Sequence, residues 1–296
     1  MERPAEPLNS MALVLYQPQD VVNVAAIIRA MSNFGLADLR LVEPAAFDPY
    51  RIAGIAHHTE PLIERTRRFP TLDAALADCG LVLGTTGRPR VQEYPVYTPR
   101  EAAREVLTRA RQQRVAILFG PEQDGLPNEA LGRCHGVITI PTHPFNHSLN
   151  LAQAAVVIAY ELWVAASGAA SHPRAQGEGG ASGATPDRVA HAGAAADPAL
   201  AGTLPAKGPS VPGAGETAEP LASGAEREAL FASLEGLLVA LYPGGSPARR
   251  AQALARLRAL LMRAQPTRAE AAALTNLLRH AARACSGGRG GNRSQP

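Results

Sequence analysis

The chain has 296 residues, 46% of them hydrophobic and 4% aromatic, and a formal net charge of +3. That is enough apolar material for a real core in one large domain or two small ones, and so mild a charge does not by itself argue for nucleic acid. The cysteines Cys79, Cys134 and Cys285 form no CxxC pair, and His57-His58 has no cysteine nearby. Zinc spacing is thereby excluded, no metal is expected, and a reducing compartment suits the pattern.

The basic residues are nearly all arginine, Lys207 being the only lysine. Arginine forks onto phosphate, but a GC-rich coding sequence, which favours Arg, Ala, Gly and Pro codons, is the better explanation of the bias. The start, MERPAEPLNS, has no signal-peptide core, and no run reaches the ~18 apolar residues of a spanning helix. A soluble, cytoplasmic chain without a membrane partner is expected.

Residues 1–9 read as a disordered lead. Met11–Tyr16 (MALVLY) is a strand ended by Gln17-Pro18. Asp20 caps a helix beginning near Val21. Val24, Ile27, Ile28 and Met31 fall on one face of it and Arg29 lies off that face. It stops at Asn33-Phe34-Gly35, where Gly35 can take the left-handed conformation. Leu39–Val42 is a second strand. The stretch 45–68 gives mixed signals and reads as a short helix around Arg51–His57 and a short segment after it. Thr71 opens another helix, and Leu81–Leu83 is a third strand running into the polar loop Gly84–Arg88. Thr98 caps a helix that begins at Pro99 and runs to Gln112.

Val115–Phe119 is a short apolar run of the kind found in buried parallel strands. It ends at Gly120-Pro121, and Glu122 follows in a loop with Gly125 and Pro127. After a short helix, Val137–Ile140 is a strand stopped by Pro141. Ser148 is placed to cap an apolar helix from Leu149 to Trp163. The alternation implies an α/β domain with a parallel sheet over residues 10–166. Loops at the carboxyl ends of such strands are where ligands sit.

From 167 to 224 Ala, Gly, Pro and Ser dominate, and the segment reads as a linker. A helical carboxyl-terminal domain follows over 225–285. Leu230, Leu234, Leu237, Leu238 and Leu241 stripe its first helix, Leu254, Leu257, Leu260 and Leu261 the second, and Leu274, Leu277 and Leu278 the third. The third opens on a capping box, Thr267 to Glu270. The three form a small bundle or pack on a partner. Residues 286–296 are a flexible tail.

Three segments, NVAAIIRAMSNFG (Asn23–Gly35), FGPEQDGL (Phe119–Leu126) and IPTHPFNHSLNLAQA (Ile140–Ala154), occur in that order. They resemble the three motifs of the TrmH-type SPOUT RNA methyltransferases, and the resemblance covers roughly residues 10–165. SLNLAQA with a helical extension is most similar to the TrmJ branch, which methylates ribose 2′-hydroxyls in the tRNA anticodon loop. The resemblance implies a parallel-sheet SPOUT fold with a C-terminal trefoil knot, which no periodicity would suggest. It also implies S-adenosyl-L-methionine as methyl donor, no metal, a homodimer with the active site completed across its interface, and tRNA nucleotide 32 as target. Ribosomal RNA as substrate and a non-catalytic RNA-binding protein are the rivals. A generic nucleotide-binding domain is not, because GxGxxG and GxxxxGK[ST] are both missing.

Site residues carry over by motif. Arg29 acts on the 2′-hydroxyl. A guanidinium with pKa above ~12 is a poor base, so it is expected to orient the oxygen or stabilise its developing charge. Glu122 orients Arg29 or an RNA group. Asn23 helps hold this region, and Asn150 contacts the ribose. The cofactor loops are Thr85, Thr86 and Gly87, then Gly120, then Ile140, His147, Ser148 and Leu149. Arg88 and Arg90, just past the first loop, are the better phosphate contacts among Arg51, Arg65, Arg67 and Arg68. Two departures stand out. Ala25 occupies a position usually held by Gly, where altered spacing to RNA or a neighbouring loop is expected, and His147 replaces a small polar residue.

Overall fold

The structure is a computed structural model; it describes residues 6–87, 94–143, 145, 148–168 and 219–287. The strands are β1 (Met11–Tyr16), β2 (Asp38–Val42), β3 (Arg67–Phe69), β4 (Cys79–Thr85), β5 (Val96–Tyr97), β6 (Arg114–Phe119) and β7 (Gly136–Ile138). All pair in parallel, in the order β3-β2-β1-β6-β4-β7-β5. The α-helices of this part are α1 (Val21–Asn33), α2 (Pro49–Ile55), α3 (Glu60–Arg65), α4 (Leu72–Leu76), α5 (Pro99–Ala110), α6 (Asn128–Leu131) and α7 (Leu151–Ser167). Ahead of them Glu6–Ser10 is a short 3-10 helix whose Leu8 is buried in the core, so the expected disordered lead does not extend over residues 6–9.

Both faces of the sheet are covered, as a parallel sheet requires. Leu13, Leu15, Leu81, Leu83, Val115 and Ile117 point into one cluster with α1, α5 and α7. Their strand neighbours Ala12, Val14, Val82, Ala116 and Leu118 point into the other, with α4 and α6. Strand alternation thus sorts larger side chains to the face that carries the long helices.

Local chemistry sets the helix ends. Asp20 caps α1 by accepting from Val22 N at 2.8 Å. Gly35 follows with φ +70°. Thr98 and Glu101 make a reciprocal capping box on α5. The mixed stretch holds two helices: α2, shifted two residues earlier than its sequence suggests because Asp48 caps it and Pro49 fits its first turn, and α3 in the short segment after it. The cap of α7 is Asn150, not Ser148: its Oδ1 accepts from Ala152 N at 2.8 Å, so the helix starts at Leu151. The edge strands β3 and β5 escape sequence pattern altogether, being three and two residues long. Within β2, Arg40 is 1% exposed and pairs with Asp38 at 2.9 Å and with Asp78.

Three further helices follow, α8 (Gly224–Leu241), α9 (Pro247–Ala264) and α10 (Arg268–Gly287). They form one compact unit with the sheet. The expected boundary at 225 runs through a packed contact, with Ala225 N donating to Ala77 O at 2.9 Å. Gly224 is required there: a Cβ would lie 2.1 Å from Leu76 O. The register of β4 shifts between Cys79 and Leu81, a bulge at Gly80. A bulge leaves ladder groups unpaired, and buried Arg227 of α8 fills the gap by donating to the carbonyls of Gly80 at 3.0 Å, Cys79 at 3.2 Å and Ala222. Burial pushes its guanidinium down to about 10, still charged at neutral pH. Elsewhere the three helices are loosely closed, with Leu260 at 52% and Leu277 at 64% exposure. No described helix is long and apolar enough to cross a membrane.

Arg227→Met keeps much of the side-chain volume but leaves those buried carbonyls without their donor. It is expected to cost about 2–4 kcal/mol in urea unfolding followed by circular dichroism. Gly224→Ala is expected to cost about 1–3 kcal/mol by overpacking.

Candidate active site

The sheet order reverses direction around β1 and β6, and the carboxyl ends of β4, β6 and β7 open into one cleft of about 540 Å³. That volume is ordinary for a small-molecule site, typically about 300–1,000 Å³. Seven of the residues expected to hold a cofactor line it: Thr85, Thr86, Gly87, Gly120, Ile140, Ser148 and Leu149. His147, Arg88 and Arg90 lie outside the described residues. Phe119, residues 121–126, Ile138, Phe145, Leu151 and Ala154 complete the lining.

The walls are fixed by backbone. Thr86 N donates to Ile138 O at 3.0 Å, tying the β4 loop to β7, and Thr85 Oγ1 donates to Leu118 O at 3.2 Å, tying it to β6. Gly120 is the tightest point: a Cβ would lie 2.3 Å from Leu126 N and 2.4 Å from Gly125 C. Those are backbone atoms, so a side chain there displaces the whole 121–126 turn. Gly125 N donates to Pro121 O at 3.0 Å, and its own φ is +66°, a conformation that favours glycine.

Beside the cleft, Glu122 accepts from Gln19 N at 3.0 Å, Asp20 N at 3.1 Å and Asn23 Nδ2 at 2.9 Å. Asn23 Oδ1 in turn accepts from Asn150 Nδ2 at 3.0 Å. One run of hydrogen bonds therefore joins the β6 loop, the start of α1 and the cap of α7. Three of the four residues given catalytic roles are brought together here. The fourth, Arg29, is not held by Glu122: it is exposed on α1 and donates through Nη1 to His57 O. The expected orienting pair is thus replaced by two separate arrangements, because Glu122 is turned toward backbone amides at the start of α1. Ala25 is fully buried in the larger core cluster, so its methyl faces the interior and not RNA. Among the basic residues first considered, Arg67 pairs with Asp38 at 2.8 Å and Arg68 sits 5.7 Å over the Phe47 ring.

Partial burial pushes the Glu122 carboxyl up, but hydrogen bonds from the Asn23 side chain and the amides of Gln19, Glu122 and Asp20 outweigh it and hold it below the usual glutamate range. Sequence reasoning missed Phe145, whose ring lies on the rim stacked with His143 at 5.4 Å. Its signal was present in the motif, as an aromatic in an otherwise polar loop.

The sequence profile of the SpoU rRNA Methylase family matches residues 10–160. The chain is 36% identical over 158 residues to the tRNA (cytidine/uridine-2′-O-)-methyltransferase TrmJ of Photorhabdus laumondii, covering 53% of this chain and 66% of that protein. It is 37% identical over 158 residues to the Escherichia coli K12 protein of the same name, covering 53% and 64%. The match spans just under two thirds of the length of these two relatives. Among solved structures, TrmJ from Z. mobilis ZM4 is similar at a TM-score of 0.68 and 29% identity, over 91% of this chain and 97% of that one. A probable methyltransferase from Bordetella pertussis Tohama I is similar at 0.51 and 32% identity, over 55% and 99%.

A glutamate with a lowered folded pKa adds stability that is present above its unfolded value, ~4.3, and lost as pH falls through the folded value. Glu122→Gln is therefore expected to lower stability by about 1 kcal/mol at pH 7. Urea unfolding of both proteins as a function of pH checks this: the gap should close as the solution is acidified below the ordinary glutamate range.

Proposed function

The chain belongs to the SpoU rRNA Methylase family, and from that premise we propose that it is an S-adenosyl-L-methionine-dependent RNA 2′-O-ribose methyltransferase acting on tRNA at anticodon-loop nucleotide 32. The observation that carries the reading is the convergence of the β4, β6 and β7 loops, which include the second and third motifs, on one cleft of about 540 Å³. The curated relatives, named for tRNA cytidine/uridine 2′-O-methylation, favour tRNA over the ribosomal RNA of the family's description.

The cleft fits the cofactor. Its walls include the backbone of three loops, and Gly120 leaves a cradle that a Cβ would fill. Leu126, Ile138, Ile140 and Leu149 give it apolar surface for an adenine, and Glu122 lies on the wall as a carboxylate. The methyl donor supplies an electrophilic carbon on a positive sulfonium and leaves as a neutral thioether. The protein's share is positioning and exclusion of water. Asn23, Glu122 and Asn150 keep the α1 and α7 starts in register with the cleft. Arg29, a charged donor on an exposed helix face, orients the 2′-oxygen and stabilises the charge that develops on it. The chain segment that enters the third motif is read as a C-terminal trefoil knot, on the family likeness.

The homodimer reading is supported by an exposed apolar stripe on α7, Val156, Tyr160 and Trp163 at 41%, 49% and 37% exposure. Arg29 is not among the residues lining the cleft of its own chain, so a second copy is the natural source of this arginine at each site, while Asn23 of the same motif stays with its own Glu122. The protein acts in the cytoplasm, where its RNA is.

Incubation with methyl-labelled S-adenosylmethionine and unmodified tRNA or ribosomal RNA, followed by nuclease mapping, tests the assignment. Label on the ribose of one anticodon-loop nucleotide is expected, with Arg29→Ala lowering kcat at least about 100-fold. Label confined to ribosomal RNA would overturn the substrate, and no label with cofactor still bound would overturn the enzyme. Gly120→Ala is expected to weaken S-adenosylhomocysteine binding at least about tenfold by calorimetry, while the far-ultraviolet circular dichroism stays that of the parent.

A further inference from the structure

Phe145 combines two properties that rarely coincide. It lines the cleft, and it is 94% exposed. The other phenylalanine of the lining, Phe119, is 1% exposed and belongs to the core beneath the floor. Water-facing phenylalanine does nothing for the fold, yet this ring is not loose. It stacks on His143 with ring centroids 5.4 Å apart and planes at 30°, and its own N–H donates to His143 Nδ1 at 3.4 Å. The loop thus presents a supported aromatic face to solvent at the mouth of the cleft.

We propose that Phe145, backed by His143, is the stacking platform for the base of the nucleotide whose ribose is methylated. This rests on the methyltransferase reading and deepens it. The reacting oxygen is on C2′ and the base is on C1′, the adjacent carbon. Once the 2′-oxygen reaches into the cleft, its base must lie at the rim, where Phe145 stands. A base taken out of its own stack loses its neighbours, and an aromatic side chain replaces them. Stacking engages the π-face and not the hydrogen-bonding edge, so cytosine and uracil are held alike. The imidazole beneath keeps the ring from collapsing into the cleft, which leaves that space for the cofactor.

The test uses the full chain, an unmodified tRNA transcript and labelled S-adenosylmethionine, with wild type, Phe145→Ala, Phe145→Leu and Phe145→Trp. Ala and Leu should raise KM for tRNA by about 5- to 150-fold, Trp should restore it, and affinity for S-adenosylhomocysteine should be unchanged in all. Leucine keeps apolar area without a π-face, so its failure separates stacking from simple burial. A fluorescent cytosine analogue at the methylated position should be quenched on binding wild type and Phe145→Trp, but not Phe145→Ala. Weaker S-adenosylhomocysteine binding in Phe145→Ala with tRNA KM unchanged would overturn the proposal and assign the ring to the cofactor adenine. A shift to monomer in light scattering would overturn it in favour of the subunit interface, and unchanged kinetics would overturn it outright. If the wild type transfers no methyl to any RNA, the parent reading fails first and this one falls with it.

Discussion

Three segments far apart in the chain meet at the carboxylate of Glu122. Its oxygens collect two amides at the start of α1 and the amide group of Asn23, and Asn23 reaches on to the cap of α7. Amides at a helix start favour an anion, which is why an ionised carboxylate is tolerated here partly out of water. The geometry of everything around the cleft follows from this joint. If α1 tilts, Asn23 moves, the start of α7 moves with it, and so does the loop that carries Ser148 and Leu149. Glu122 is better understood as the pin of the site than as its acid or base.

Strand β4 is the second organising element. Its amino end, at the Gly80 bulge, is held by Arg227, and its carboxyl end becomes the Thr85–Gly87 wall of the cleft. Between them Gly84 has room for no side chain, since a Cβ would come 2.8 Å from Cys134 Sγ. The strand is therefore clamped along its length. The carboxyl-terminal helices are connected to the cleft wall through one continuous piece of sheet.

The large elements were legible because they obey strong patterns. MALVLY and VAILF are continuous apolar runs, and both are central strands; Asp20, Thr98 and Thr267 are caps with the expected partners. The cleft was legible through motifs and not through physics alone, since nothing in Thr85, Gly120 or Leu149 taken singly announces a shared wall. What stayed hidden needs three dimensions. Two-residue and three-residue edge strands have no period to read. Ser148 and Asn150 are equally good caps on paper; the structure has Asn150 Oδ1 taking the amides of Ala152 and Gln153, while its Nδ2 reaches Asn23 of another helix. Arg40 and Arg227 look like surface residues until the aspartates and the open carbonyls that receive them are in place. Glu122 and Arg29 suggest an ion pair by charge, but the carboxylate is already engaged by backbone.

The Arg227 contact also bears on how the protein comes into being. Domains emerge from the ribosome amino end first, and β4 is complete long before α8 is made. Until then the carbonyls of Cys79 and Gly80 lack the donor that the finished molecule gives them. The newborn chain can already build its sheet, since β1 through β7 precede residue 140, but it must wait for its last quarter before β4 is seated. An unfinished or truncated product would then carry every motif of the cleft and still lack a settled wall. In the finished molecule the second and last quarters of the chain therefore share one piece of buried backbone, and β4 reaches its final contacts only when residue 227 has been made.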